Sequence, residues 1–119
     1  MDKNSLSKSE TYYSELEAYK RRLYNRINKE AKKYGYTFEQ VEQAYRMSPL
    51  QRQENADQHY AYYTQMRKLK EAGDSPKEIA NKTFLLKPTL PDPLDFGEYL
   101  EYARVEQLLT GNPSTGRKL

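Results

Sequence analysis

At four expected helix starts along this chain a serine or threonine stands three residues ahead of a glutamate or glutamine: Ser7 with Glu10, Thr37 with Gln40, Ser48 with Gln51, and Ser75 with Glu78. In that spacing the hydroxyl accepts the third N–H of a new helix. The longer side chain reaches back to the N–H of the cap, so two orphan donors find partners. Pro49 and Pro76 follow two of these caps directly, at the one place in a helix where proline is welcome. Glycines at 35, 73 and 111 supply the matching stops. A chain punctuated in this way leaves little room for strands. The expectation is an all-α fold, a small bundle of four to five helices, two of them long.

The apolar pattern agrees. Leu16, Tyr19, Leu23, Ile27, Ala31 and Tyr34 recur at steps of three or four residues, which predicts a first helix of about 25 residues ending at Gly35. A short second helix follows Thr37, with Tyr36 and Val41 placed as a hydrophobic staple and Phe38, Val41 and Tyr45 as its buried face. The third helix runs from Ser48 to about Ala72, its apolar side drawn from Ala56, His59, Tyr60, Tyr62, Tyr63, Met66 and Leu69. A short fourth helix ends near Lys82. Pro88, Pro91 and Pro93 exclude helix and predict an extended connector. The last helix is expected to begin near Asp92 or Asp95, where Asp95 and Glu98 have capping spacing, and to end before Gly111. Residues 1–110 read as a single helical domain and 111–119 as a disordered tail.

Composition bounds the function. Hydrophobic residues make up 36% of the 119, and mean hydropathy is −1.12. No apolar run approaches the ~20 residues of a membrane span, so no membrane partner is expected. The first residues lead into no apolar stretch, so no signal peptide is expected and the cytoplasm, or a host's cytoplasm, is the expected location. There is no Cys, which excludes disulfides and cysteine metal sites. With 12 Tyr, 3 Phe and no Trp, much of the core is expected to be tyrosine.

Charge is unevenly placed. Residues 1–72 hold 14 of the 20 Lys and Arg. On the first helix Arg21, Arg22, Arg26, Lys29, Lys32 and Lys33 share one arc, opposite the apolar stripe, and Glu30 alone interrupts the basic run from 20 to 33. Such a face is either an ordinary solvated surface or one that follows a phosphate backbone. Arg67 and Lys68 on the third helix are candidate additions.

Residues 69–80, Leu-Lys-Glu-Ala-Gly-Asp-Ser-Pro-Lys-Glu-Ile-Ala, resemble the opening of a helix-turn-helix. The residues after Ala80 depart from that pattern, because Pro88, Pro91 and Pro93 leave no room for a recognition helix of normal length. Residues 26–35, Arg-Ile-Asn-Lys-Glu-Ala-Lys-Lys-Tyr-Gly, resemble the basic N-terminal helices of phage terminal proteins, over about residues 15–70. Those proteins are about twice as long, and no priming residue is carried over. The resemblance implies a phage or mobile-element origin and non-specific association with DNA.

Catalysis finds no support in the residues. His59 is the lone histidine and sits on an apolar arc, as a packed core histidine would. Glu54, Asp57 and His59 diverge on a helix, and Asp92, Asp95, Glu98 and Glu101 read as helix-start charges. No cofactor, metal site or catalytic residue is expected. The last helix is apolar on two sides, Phe96, Tyr99, Leu100 and Ala103 on one and Tyr102, Val105 and Leu109 on the other. The second side is either covered by Phe84, Leu85, Leu86 and the proline connector, or is a surface for a partner or a second copy of the chain. Two functions remain open. One is a non-enzymatic accessory protein bound to nucleic acid, or to a nucleic-acid-bound protein, through the basic face. The other is a protein-binding module, such as an inhibitor of a host defence nuclease or a structural virion protein, using Tyr102, Val105 and Leu109.

Overall fold

The computed structural model describes residues 8–111. The chain is all-α, as expected. Five α-helices are present among the described residues: α1 Lys8–Tyr34, α2 Phe38–Tyr45, α3 Pro49–Glu71, α4 Pro76–Thr83 and α5 Glu98–Thr110. Short 3-10 turns occupy Phe84–Leu86 and Pro93–Phe96. None of the described helices is long and apolar enough to cross a membrane. Ser7 of the first capping pair and residues 112–119 of the expected tail lie outside the described residues. Within the chain, internal contacts gather into two compact units. One joins the segments up to 38 and from 96, and the other comprises 39–95.

The first unit is built on α1 and α5. α1 presents Leu23, Ile27 and Ala31, each at most 1% exposed. α5 presents Tyr99, Tyr102, Ala103 and Val105, all buried, with Phe96 just before it. The ion pairs give the direction: Lys20 meets Glu106 at 3.6 Å while Arg26 meets Glu98 at 2.6 Å, so the two helices run antiparallel. Aromatic rings close one side of this pair. Phe38 lies 4.7 Å from Tyr24, 5.1 Å from Tyr102 and 5.7 Å from Tyr99 between centroids. α1 stops at Gly35 in the left-handed region (φ 83°), with Tyr36 N–H bonded back to the Ala31 carbonyl at 2.8 Å.

The second unit is held by a different device. Proline removes N–H groups from the 88–93 segment, and its bends keep neighbouring carbonyls out of any ladder. Those carbonyls take side-chain donors instead. Gln40 Nε2 donates to Thr89 O at 2.9 Å, His59 Nε2 to Leu90 O at 2.9 Å, Asn55 Nδ2 to Pro91 O at 3.0 Å and the Tyr45 hydroxyl to Pro93 O at 2.8 Å. Asn55 and His59 are buried for this reason, beside Val41, Ala44, Ile79 and the fully covered Pro91. Ser48 and Ser75 make complete capping boxes with Gln51 and Glu78.

Several expectations change. α5 begins at Glu98 with Gly97 as an N-cap that has no side-chain hydrogen bond, rather than at Asp92 or Asp95. Pro93 starts a 3-10 turn, and Asp92 Oδ1 is used within it, accepting Leu94 N–H at 3.0 Å. Tyrosine builds little of the core: only Tyr99 and Tyr102 are buried, while Tyr60 and Tyr63 of the expected apolar side of α3 are 72% and 48% exposed. On α2 the buried pair is Val41 and Ala44, with Phe38 and Tyr45 half-buried. Phe84, Leu85 and Leu86, expected as cover for a helix, are instead 74%, 90% and 46% exposed.

Replacing Asn55 by Leu leaves the Pro91 carbonyl buried without its donor and should cost about 1–3 kcal/mol. Leu100→Ala, at a residue 61% exposed, should stay within about 0.5 kcal/mol of the parent. Urea unfolding of the two variants checks both; equal midpoints would remove the connector's role.

Candidate functional site

α1 carries its basic residues as the sequence expects. Arg21, Arg22, Arg26, Lys29, Lys32 and Lys33 are all exposed. At about 100° per residue they fill an arc of about 140° and extend for about 18 Å along the axis. The same arc holds Asn25 and no carboxylate between residues 21 and 33.

The six are not equivalent. Arg26 is bound to Glu98 of α5, and Lys33 lies 3.7 Å from Glu30 on its own helix and 5.9 Å from the centroid of the Tyr34 ring. Arg22 lies over the ring of Tyr19 at 5.7 Å, which limits its motion and leaves its charge uncompensated. Arg21, Lys29 and Lys32 make no ion pair among the described residues. Four cations of the face are thus available to an anion, one of them set on an aromatic ring.

The flank of this face is fixed by a polar cluster between α1 and α5. Arg104 holds the Glu101 carboxylate with two bonds, Nε to Oε1 at 2.9 Å and Nη2 to Oε2 at 2.7 Å. The Tyr19 hydroxyl donates to Glu101 Oε2 at 3.1 Å. The Arg104 fork holds the Glu101 carboxyl below the usual carboxylate range against a smaller effect of desolvation, and the Tyr19 bond adds to the lowering. The same bond, donated to a carboxylate, raises the Tyr19 phenol, and desolvation raises it further. The bond to Glu101 orients the Tyr19 ring beneath Arg22.

The other candidates are dispersed. Arg67 and Lys68 are exposed on α3, in the second unit, and successive positions on a helix point about 100° apart. Of the expected partner-binding residues, Val105 is fully covered and Tyr102 is 8% exposed. Tyr102 packs against Tyr24, Phe38 and Tyr99 with Lys20 5.3 Å above its ring, so its surface is consumed inside the first unit. Leu109 is half-buried. His59 donates from Nε2 to the Leu90 carbonyl, and a carbonyl only accepts, so that nitrogen carries the hydrogen. Among the described residues no group of three or more His, Cys, Asp or Glu could hold a metal ion.

The sequence pattern conceals a run of three exposed apolar side chains. Phe84, Leu85 and Leu86 come after a buried Thr83, whose hydroxyl donates to Ile79 O at 2.7 Å, and precede a buried Pro88. Anchors on both sides turn the three side chains outward. Tyr60 and Tyr63 are concealed too, because a three-to-four step beside His59 reads as core.

Neither known protein families, nor curated proteins, nor solved structures give a match to this chain.

The Glu101 cluster sets a pH edge. Its folded-state pKa lies below the unfolded value of about 4.3, so its contribution is complete above that pH and is lost as pH falls through the folded value. The urea midpoint of the parent should therefore drop on acidification below about pH 4 more steeply than that of Glu101→Gln. Parallel curves would show that the cluster does not act in the folded state.

Proposed function

We propose that this chain is a non-enzymatic accessory protein, of phage or mobile-element type, that associates with nucleic acid through the basic face of α1. The observation that carries the reading is the exposed arc from Arg21 to Lys33, with six cations, no carboxylate, and four of the six outside any ion pair among the described residues. A solvated face has no need of one sign, and mixed signs are the usual solution. Arginine and lysine spaced along about 18 Å of helix suit successive phosphates rather than base edges. Binding of this kind is weakly selective for sequence and driven by release of counterions. The resemblance of residues 15–70 to the basic helices of phage terminal proteins points the same way. The segment at 69–80 is an α3–α4 turn that leads into a 3-10 turn, and it supplies no reader helix.

A second reading, a protein-binding module such as a nuclease inhibitor or virion component, is favoured by one observation: the outward-turned Phe84, Leu85 and Leu86. It would place the partner at that turn instead of at Tyr102 and Val105.

With four phosphate contacts, affinity for a short duplex should fall roughly a hundredfold between 50 and 200 mM salt. The combined variant Arg21→Glu, Lys29→Glu, Lys32→Glu should abolish binding while leaving the helical circular dichroism unchanged, since none of the three side chains is in an ion pair among the described residues. Arg26 is left in place because it holds Glu98. Fluorescence anisotropy measures both effects. An affinity within twofold of the parent rejects the reading, and a pull-down lost on Phe84→Ser, Leu85→Ser would favour the second.

A further inference from the structure

α3 carries a second feature, separate from the basic face of α1. Tyr60, Tyr63, Arg67 and Lys70 succeed one another at steps of three, four and three residues. At about 100° per residue they lie within about 80° of arc, in one stripe about 15 Å long. All four are exposed, Tyr60 at 72% and Tyr63 at 48%. Neither cation is in an ion pair among the described residues. No carboxylate stands between Asp57 and Glu71, and Asp57 already accepts Gln53 Nε2 at 3.0 Å.

The stripe is mounted rigidly. The Tyr63 ring stacks on His59, 6.1 Å between centroids and 28° between planes, and touches the Tyr62 ring at 5.4 Å. His59 is buried and fixed to the Leu90 carbonyl. An aromatic ring held in this way loses little freedom when its exposed part meets something planar. Tyr60 stands one turn away with most of its surface in water.

We propose that this stripe binds single-stranded nucleic acid, with Tyr60 and Tyr63 stacking on unpaired bases and Arg67 and Lys70 taking the neighbouring phosphates. Ring faces select the ligand class. In a duplex, neighbouring bases cover one another's faces and only edges reach the grooves, whereas a single strand offers its faces. Arg67 and Lys70 lie beyond Tyr63 by about 6 and about 10 Å along the axis, so two stacking rings are followed by two cations within the length of a few nucleotides of an extended strand. The stripe contains no aliphatic side chain, which an amphipathic protein partner would require. The proposal rests on the reading that the partner is nucleic acid, but it uses other residues in the other unit.

Fluorescence anisotropy of the full chain tests it, with a labelled oligothymidylate of about 20 nucleotides and a duplex of the same length, at about 50 mM salt. The parent is expected to bind the single strand more tightly. Tyr60→Ala, Tyr63→Ala should weaken the single strand by about tenfold or more and leave the duplex within twofold. Because Tyr63 contacts His59, Tyr60→Ala alone serves as the variant that disturbs no packing, with an expected loss of about fivefold. A double variant that keeps single-strand affinity within twofold, or loses both ligands equally, overturns the proposal. So does equal, tyrosine-dependent binding of polyglutamate, which would make the partner an acidic protein. The α1 charge-reversal variant separates the two sites. Loss of duplex with that variant, and no effect of the tyrosines, leaves α1 standing and removes the stripe. Loss of the single strand with the tyrosines alone does the reverse, and a parent that binds neither DNA removes both.

Discussion

A backbone carbonyl taken out of water must meet a donor, and in this protein the helices meet that need internally while the segment from Pro88 to Pro93 cannot. Three prolines in six residues remove donors and bar a ladder. The chain answers with side chains from α2 and α3, so that Thr89, Leu90, Pro91 and Pro93 each accept a bond from Gln40, His59, Asn55 and Tyr45. This requirement explains why a thin, polar chain places an asparagine and its one histidine in the interior. It also fixes the His59 ring, because its Nε2 hydrogen is committed to the Leu90 carbonyl. The same bond steadies the ring on which Tyr63 stacks, so a structural need in the connector reaches the exposed side of α3.

α1 divides its surface between two tasks. One arc, Leu23, Ile27 and Ala31, is spent on α5. The other arc is basic. Carboxylates on α5 meet cations from both flanks of α1, Glu98 with Arg26 and Glu106 with Lys20. Exposed pairs of this kind add little stability, but they take Arg26 out of the pool of available charge. What remains, Arg21, Arg22, Lys29 and Lys32, is smaller than the sequence suggests and better defined. The Tyr19–Glu101–Arg104 cluster sharpens it further, since a carboxylate held by a guanidinium fork accepts the phenol hydrogen and orients the ring beneath Arg22.

Helix positions were legible because their signals are local. Caps at Ser48 and Ser75 and stops at Gly35, Gly73 and Gly111 depend on a few adjacent residues and survive any tertiary context. The start of α5 was not, because a 3-10 turn at Pro93 competes for Asp92, and nothing in the run Pro-Leu-Asp-Phe declares which use prevails. The basic arc of α1 was legible as an arc. Its pairing with α5 was not, since Glu98 and Glu106 lie more than seventy residues away in sequence. Burial on α3 was hidden for a related reason. A tyrosine at helical spacing fits a core or an exposed stripe equally well, and the difference lies in what packs beside it. Here the connector's carbonyls select Asn55 and His59 for the interior and leave Tyr60 and Tyr63 outside.

The same reasoning closes the Tyr102 and Val105 side of α5, while Leu100 and Leu108 of that helix stand 61% and 40% exposed. A helix that is apolar on two sides invites a partner only when one side stays open. Tyr24, Phe38 and Lys20 close the Tyr102 side within the first unit, and Val105 is fully covered. A run of three exposed apolar side chains lies where the backbone is pinned, at Thr83 and Pro88, with Phe84, Leu85 and Leu86 between them. A protein with so little apolar surface to spare has reason to bury three such residues in succession. Leaving them exposed forgoes about 1.5–3 kcal/mol for each large side chain. That sacrifice separates the turn from the basic face of α1, whose charges lose nothing by standing in water.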